Sequence, residues 1–175
     1  GILDSSRFIY FLSEELKVSV QKIKSFVLGG HGDSMVAMLG LTEVDGKKIN
    51  ELIKEGKIKK EKIDQIIERT KKGGAEIVKY LEKGSAFYAP AASGVEMATS
   101  YLQDLKKQLP CAAFLNGEYG VKDLYAGVPV IIGSRGVEKV VELELNSEEK
   151  DNFEKSIQAV RDLFKDAQKI DPSLK

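Results

Sequence analysis

The sequence predicts an α+β domain in which a mixed, largely antiparallel sheet is covered by helices. Three short apolar runs follow one another late in the chain, at residues 111–115, 124–132 and 137–145. Turn signals separate them, Asn-Gly at 116–117 and Ser-Arg-Gly at 134–136. Because strands joined by tight turns pair with their neighbours, these runs predict an antiparallel meander. Apolar residues elsewhere recur at helical spacing, which predicts the covering helices.

The first helix is predicted near the start of the chain. Asp4 or Ser5 can cap it, and Phe8, Leu12 and Leu16 then recur at helical spacing. Four further helices are predicted from the same spacing: a short one at 49–53, a long one at 58–81 that Gly73 and Gly74 interrupt, one at 91–109 with Pro90 suited to its first turn, and a closing helix capped by Ser147.

Two extended segments flank a glycine-rich turn in the first quarter of the chain. Residues 23–28 predict a strand, residues 29–33 read GGHGD, and residues 35–41 form a second apolar run. The glycines are not followed by a helical pattern, so the strand, glycine turn and helix of a dinucleotide-binding unit are not predicted here. We therefore expect that this chain does not bind a dinucleotide on its own in the usual way.

Composition excludes several classes of partner. Lys and Arg together number 27, as do Asp and Glu, so there is no net field to attract nucleic acid. No apolar run is long enough to predict a membrane span. The single cysteine, Cys111, has apolar neighbours, which predicts a buried thiol in a reducing, cytoplasmic compartment. With one histidine and one cysteine, no metal site is expected.

The chain opens on Gly1, Ile2 and Leu3, which run directly into a helical pattern without an initiator Met. A natural domain usually begins with a flexible polar lead. We therefore interpret the 175 residues as one domain taken from a longer protein.

His31 is the first candidate for chemistry. It is the only histidine, and the glycines on both sides let the backbone bend and leave the imidazole unscreened. Such a side chain suits proton transfer at neutral pH. From the spacing alone, a histidine that merely completes a turn is the more common outcome.

Asp4 and Arg7 form the second candidate group. They stand at i and i+3, so they share one face of the first helix. The guanidinium of arginine matches a carboxylate in a planar two-bond fork that lysine cannot reproduce. Taken alone, the pair also fits a helix cap next to a surface arginine.

Together these segments resemble a known family. The order LDSSRF at 3–8, GGHGDSMV at 29–36, GSAFYAPAAS at 84–93, GEYG at 117–120 with GVP at 127–129, and LNSEE at 145–149 is similar to the C-terminal domain of the lactate and malate dehydrogenases. The resemblance covers almost the whole chain and ends only in the tail after about Asp166.

Within that family the sequence is more similar to the malate enzymes. Lactate enzymes usually carry Glu where this chain has Gly30, and Ser-Trp-Ala where it has Phe-Tyr-Ala at 87–89. Ala37 departs from the family, because relatives commonly place proline there. That difference concerns the stiffness of the loop after His31 rather than the chemistry.

The resemblance implies an NAD-dependent enzyme that interconverts malate and oxaloacetate. It implies that His31 is the acid–base residue, that Asp4 is its partner, and that Arg7 binds the substrate carboxylate next to the reacting carbon. It also implies that Ala86 lines the substrate pocket and that Met35 and Pro90 contact the nicotinamide. These last three residues fit simple packing equally well.

For the chain as a whole, the resemblance implies that residues 1–175 are a substrate-binding and catalytic C-terminal domain whose N-terminal nucleotide-binding domain is absent. Relatives form homodimers or homotetramers, so we expect the same here. Two alternatives stay open: a lactate or other 2-hydroxy-acid dehydrogenase domain, and an oligomerisation module without catalysis.

Overall fold

The structure is a computed structural model and describes residues 1–174, which contain six α-helices and eight β-strands. The helices are α1 (Ile2–Leu16), α2 (Ile49–Lys54), α3 (Lys60–Lys71), α4 (Gly73–Leu81), α5 (Tyr88–Leu102) and α6 (Ser147–Ile170). The strands are β1 (Ile23–Lys24), β2 (Val27–Gly29), β3 (Met35–Ala37), β4 (Glu43–Val44), β5 (Lys47–Lys48), β6 (Lys107–Asn116), β7 (Lys122–Gly133) and β8 (Gly136–Val140). The predicted α+β class is confirmed.

The larger sheet has five strands, and β7 lies at its centre. The predicted meander is present, because β6 and β8 both pair antiparallel with β7. Strand β2 joins the same side of β7 as β8, with Gly29 opposite Gly127, and β3 pairs with β2 at the edge. A Cβ atom on Gly127 would lie 2.6 Å from the carbonyl oxygen of Gly29, so the absence of a side chain lets β2 approach. This contact brings the GGHGD turn to the sheet.

A separate three-stranded sheet, in the order β1-β4-β5, lies beside α1 and α2. The single strand predicted at 23–28 was therefore wrong, since its two halves enter different sheets. Ser25 stands between them and shares a buried hydrogen bond of 2.8 Å with the hydroxyl of Thr42. That contact gives both buried hydroxyl groups a hydrogen-bond partner at the point where the chain passes from the smaller sheet to the larger one.

Two apolar cores support these sheets. In the first, α6 packs on the larger sheet as the apolar stripe of the closing helix predicts, with Phe153 and Ile157 buried. The second core joins α1, α2, α3 and the smaller sheet through fully buried side chains: Phe8, Leu12, Ile49 and Ile63. Helix α1 is therefore rigidly supported, because Phe8 and Leu12 follow Asp4 at spacings of four residues along the same buried face.

The predicted helix starts need correction by a few residues. Helix α1 begins at Ile2, so its N-cap is Gly1, and Asp4 and Ser5 lie inside its first turn. Helix α6 is capped by Asn146 rather than Ser147, because the Asn146 side chain accepts from the backbone of Glu149 while the Glu149 carboxylate accepts from the backbone of Asn146. The same Glu149 carboxylate also accepts from the backbone N–H of Gly40 at 2.7 Å.

Other predicted boundaries also change. The long helix at 58–81 is two helices that meet at Lys72, next to the predicted interruption. The helix predicted at 91–109 ends at Leu102, because the chain there turns into β6. The extended run at 35–41 stops at Ala37 and continues as a 3₁₀ turn, Leu39–Leu41, which the Thr42 hydroxyl supports by donating to the Met38 carbonyl.

The last strand, predicted at 137–145, ends at Val140. Beyond it the Tyr119 hydroxyl donates to the carbonyl of Val141 and accepts from the N–H of Leu143, so these groups bond outside the sheet. None of the helices within residues 1–174 is long and apolar enough to cross a membrane.

Candidate active site

Asp4 and His31, which are 27 residues apart in sequence, meet in a hydrogen bond. The carboxylate oxygen Oδ2 of Asp4 lies 2.8 Å from Nδ1 of His31. Asp4 is 1% exposed, since it projects from the first turn of α1 toward the GGHGD turn. An ionised carboxylate can only accept, so Nδ1 is the donor. This bond fixes the ring orientation and leaves Nε2 as the free nitrogen.

The imidazole itself is open to solvent. The side chain of His31 is 69% exposed, and Nε2 makes no hydrogen bond to any residue between 1 and 174. The turn places it there because Gly29 and Gly32 have φ angles of +83° and +68°, which residues with a side chain rarely adopt. His31 is therefore held at one nitrogen and available at the other.

Arg7 lies one turn beyond Asp4 on α1. Its Nη1 is 3.8 Å from Oδ1 of Asp4, which is too long for a hydrogen bond. The side chain is only 11% exposed, because it passes beside the start of α4. A Cβ atom on Gly73 would lie 3.0 Å from Cδ of Arg7, and one on Gly74 would lie 3.7 Å from Nη2. The two glycines thus leave room for the arginine.

Two polar atoms at this place lack partners. Oδ1 of Asp4 and Nε of Arg7 are both buried and have no hydrogen-bond partner within the described part of the chain. Buried polar atoms are nearly always hydrogen-bonded, so unpaired ones call for a ligand or for water. The site therefore has an arginine donor available for an anion beside an ordered acid–histidine pair.

The backbone of the GGHGD turn is also hydrogen-bonded to helix α6. The N–H of Gly30 donates to the hydroxyl of Ser156 on α6 at 2.8 Å, and that hydroxyl donates in turn to the carbonyl of Ser34. No pattern in the sequence indicates this contact. Ser156 is more than 120 residues away from its two partners, and a serine on a helix has no distinctive spacing.

The three secondary candidates have different surroundings. Met35 begins β3 and is 3% exposed within the second apolar core. Ala86 is partly buried in the connection between α4 and α5, and Pro90 is exposed in the first turn of α5. The burial of Met35 agrees with packing. Its contact with nicotinamide, and the roles of Ala86 and Pro90, stay predictions.

Cys111 is not part of the site. It is buried in β6, as its apolar neighbours predict, and burial raises the pKa of its thiol to about 11. A thiol with so high a pKa is a poor nucleophile at neutral pH. Among residues 1–174 there is no group of three or more His, Cys, Asp or Glu side chains arranged to hold a metal ion.

Helix α1 and the GGHGD turn thus bring a buried aspartate, an exposed histidine and an arginine together at one place. The family model for the α/β C-terminal domain of lactate/malate dehydrogenase matches residues 2–170. The chain belongs to the lactate/malate dehydrogenase family.

Its relatives include both kinds of enzyme. The malate dehydrogenase of Pelagibacter ubique (strain HTCC1062) is 62% identical over 174 residues, which cover 99% of this chain and 54% of that protein. The crystal structure of Cryptosporidium parvum malate dehydrogenase superposes with a TM-score of 0.92 at 43% identity, over 97% of this chain and 54% of that one.

A lactate enzyme fits equally well in shape. The lactate dehydrogenase of Eimeria maxima, solved with NADH and oxamate, gives a TM-score of 0.93 at 41% identity, over 98% of this chain and 54% of that one. The chain thus spans about half the length of the relatives it matches. The backbone fold alone does not separate malate from lactate enzymes.

Proposed function

We propose that residues 1–175 are the substrate-binding and catalytic C-terminal domain of an NAD-dependent malate dehydrogenase. The observation that carries the proposal is the 2.8 Å bond between Asp4 and His31, with the under-used guanidinium of Arg7 beside it. Those are the groups that reduction of a 2-oxo acid requires: a proton donor for the carbonyl oxygen and a cation for the adjacent carboxylate.

His31 is the acid–base group in this proposal. When oxaloacetate is reduced, negative charge develops on the carbonyl oxygen, and the protonated imidazole donates its Nε2 proton to that oxygen. When malate is oxidised, neutral His31 accepts the hydroxyl proton at the same nitrogen. NAD, when bound, supplies the hydride acceptor or donor. The exposure of Nε2 supports this role, because a substrate can reach it.

Asp4 acts through His31. Its buried carboxylate accepts the Nδ1 proton, so the neutral ring is held in the tautomer whose Nε2 can accept. The negative charge also stabilises the imidazolium that forms when a proton is taken up. This is a positioning and electrostatic role, and Asp4 itself need not change protonation.

Arg7 binds the carboxylate next to the reacting carbon. Its planar donors suit a two-bond contact, and its Nε still has no partner in residues 1–174. Holding the substrate at Arg7 while His31 contacts the oxygen orients the carbon toward the hydride donor. Ala86 is the proposed pocket residue, where a small side chain leaves space for the second carboxylate.

The dinucleotide requires residues outside this chain. Met35 and Pro90 are proposed contacts of the nicotinamide, but the GGHGD turn leads into a short 3₁₀ turn, Gly32–Ser34, and then into β3, rather than into an α-helix that could hold the pyrophosphate. We therefore propose a preceding nucleotide-binding domain, and the roughly twofold greater length of the relatives supports it.

We also propose that the protein assembles into a homo-oligomer in the cytoplasm. A homodimer or homotetramer is supported by strongly exposed apolar side chains on α4 and α5, among them Tyr80, Tyr88 and Leu102. A cytoplasmic protein is proposed, which agrees with a single buried cysteine.

Malate is favoured over lactate by one comparison. Identity to the Pelagibacter ubique malate dehydrogenase is 62%, whereas identity to the Eimeria maxima lactate dehydrogenase is 41%. A lactate dehydrogenase domain remains the second candidate, because the two folds superpose so closely. The intact Asp4–His31 pair argues against a module that serves only in oligomerisation.

The test is substrate choice in the full-length polypeptide that contains this domain. We expect NADH oxidation with oxaloacetate to exceed that with pyruvate in kcat/KM by on the order of 100-fold or more, since the pocket at Ala86 would take the second carboxylate that pyruvate lacks. Comparable or better activity with pyruvate would overturn the malate assignment in favour of lactate.

A second assay tests the division between domains. The 175-residue chain alone should not oxidise NADH with oxaloacetate, and activity should appear when a separately expressed nucleotide-binding domain is added. Robust activity of the chain alone would contradict the proposed site of cofactor binding.

A further inference from the structure

We propose that Ser156 on α6 is a positioning residue for His31, a role that rests on the proposed function of His31 as the acid–base group. Ser156 is 3% exposed and joins both ends of the turn that carries the histidine. Its hydroxyl accepts from the N–H of Gly30 at 2.8 Å and donates to the carbonyl of Ser34. One hydroxyl therefore closes the loop that presents His31.

Ser156 and Asp4 hold different parts of the same unit. Asp4 fixes the ring through Nδ1, whereas Ser156 fixes the backbone on both sides of the histidine. The only side-chain bond within the turn itself, from the Ser34 hydroxyl to the His31 carbonyl, is long at 3.4 Å. The ring direction and the loop position are thus set by two separate elements, α1 and α6.

The two glycines before His31 make this contact possible. A Cβ atom on Gly29 would collide with the Ser156 hydroxyl, and one on Gly30 would lie 3.2 Å from Cγ2 of Val160, also on α6. Helix α6 can therefore approach the turn only because side chains are absent there. The glycines admit a partner helix in addition to letting the backbone bend.

The proposed consequence concerns turnover rather than binding. Without the hydroxyl, the N–H of Gly30 and the carbonyl of Ser34 lose their common partner, so the turn can relax away from the substrate held at Arg7. Misplacement of a reacting group by about 1 Å can cost about 10²-fold in rate. We expect kcat to fall by about 10- to 100-fold in Ser156→Ala, with the KM for oxaloacetate and for NADH within about threefold of wild type.

Ser100 provides a matched control. It is fully buried on α5, and its hydroxyl likewise donates to one carbonyl, that of Ile132 at 2.7 Å, and accepts from one N–H, that of Lys107 at 3.2 Å. Ser100→Ala removes the same number of bonds at a site that ties α5 to the larger sheet and does not touch the GGHGD turn. It should lower Tm by a similar amount and leave kcat within about twofold.

Two readouts separate positioning from mere stability. With NADH deuterated at the transferred position, the isotope effect on kcat should rise in Ser156→Ala, because the chemical step becomes slower, and should not rise in Ser100→Ala. Amide hydrogen exchange of the peptide covering residues 26–36 should accelerate in Ser156→Ala only. Equal kcat values for the two alanine variants, or unchanged exchange in the turn, would overturn the inference.

Failure of the proposed dehydrogenase function can be distinguished from failure of the role proposed for Ser156. If the full-length wild type showed no malate or lactate activity, the dehydrogenase proposal would fail, while hydrogen exchange would still decide whether Ser156 holds the turn. If Ser156→Ala did not fold, Ser156→Cys, which keeps a weaker donor and acceptor, should show a smaller loss of kcat in the same direction. An unchanged kcat in that variant would refute the role equally.

Discussion

Adding one methyl group at the start of α4 should disturb Arg7, the proposed substrate-binding arginine, specifically. A Cβ atom on Gly73 would lie 3.0 Å from Cδ and 3.2 Å from Nε of Arg7. Ordinary contacts begin at 3.4 Å, so the arginine must retreat by at least 0.4 Å, the difference between 3.4 and 3.0. Since about 1 Å of misplacement can cost about 10²-fold, we expect Gly73→Ala to lower kcat/KM for oxaloacetate by about 3- to 10-fold.

The assay is steady-state NADH oxidation by the full-length enzyme, with Gly74→Ala as the matched control. A Cβ atom on Gly74 would meet Arg7 only at 3.7 Å, an ordinary contact. Both variants replace glycine by alanine in the same turn, where alanine favours the helix by about 0.5–1 kcal/mol. Gly74→Ala should therefore keep kcat/KM, and the KM for NADH should stay unchanged in both. Equal kcat/KM for oxaloacetate in the two variants would refute the close packing of Arg7 against α4.

Three further outcomes are expected. Arg7→Lys should raise the KM for oxaloacetate far more than that for NADH, because a point charge replaces a two-bond fork; equal losses for both would count against carboxylate binding. Cys111 should react with iodoacetamide at pH 8 about 100-fold more slowly than a thiol of ordinary pKa 9.0, since burial raises its pKa to about 11, and urea should abolish the difference. Asn146→Ala should cost about 1 kcal/mol in urea unfolding, whereas Ser147→Ala should change stability by less than about 0.5 kcal/mol, and the reverse order would show that the cap is misassigned.

The sequence patterns predicted those parts of the fold that depend on interactions between residues close together in the chain. The turns at 116–117 and 134–136 correctly placed β6, β7 and β8 in a meander, and the apolar stripe of α6 identified Phe153 and Ile157 as core residues. Prediction failed where a distant contact overrides the pattern. The strand predicted at 23–28 is divided at Ser25, whose hydroxyl pairs with that of Thr42. The apolar pattern of residues 23–28 does not indicate this contact.

In the site, too, the residues placed by local patterns were predicted and those placed by distant contacts were not. The GGHGD turn and the i, i+3 spacing of Asp4 and Arg7 are local, and they singled out the residues that the structure brings together. Gly73 and Gly74 were interpreted only as helix interruptions, although they also make room for Arg7. Ser156 could not be found from sequence, because its role depends on α6 returning across the sheet to the turn.

The most direct test of the proposed mechanism is the turnover of His31→Asn in the full-length enzyme. Asparagine keeps a polar side chain of similar size next to Asp4 but cannot exchange a proton, so kcat should fall by several orders of magnitude, at least the 10²- to 10⁴-fold expected for a lost acid–base group. The affinity for NADH, measured by fluorescence titration, should stay within about threefold of wild type, because His31 contributes little to holding the dinucleotide. Near-normal turnover of oxaloacetate in His31→Asn would contradict the assignment of His31 as the proton donor and, with it, the function proposed for this domain.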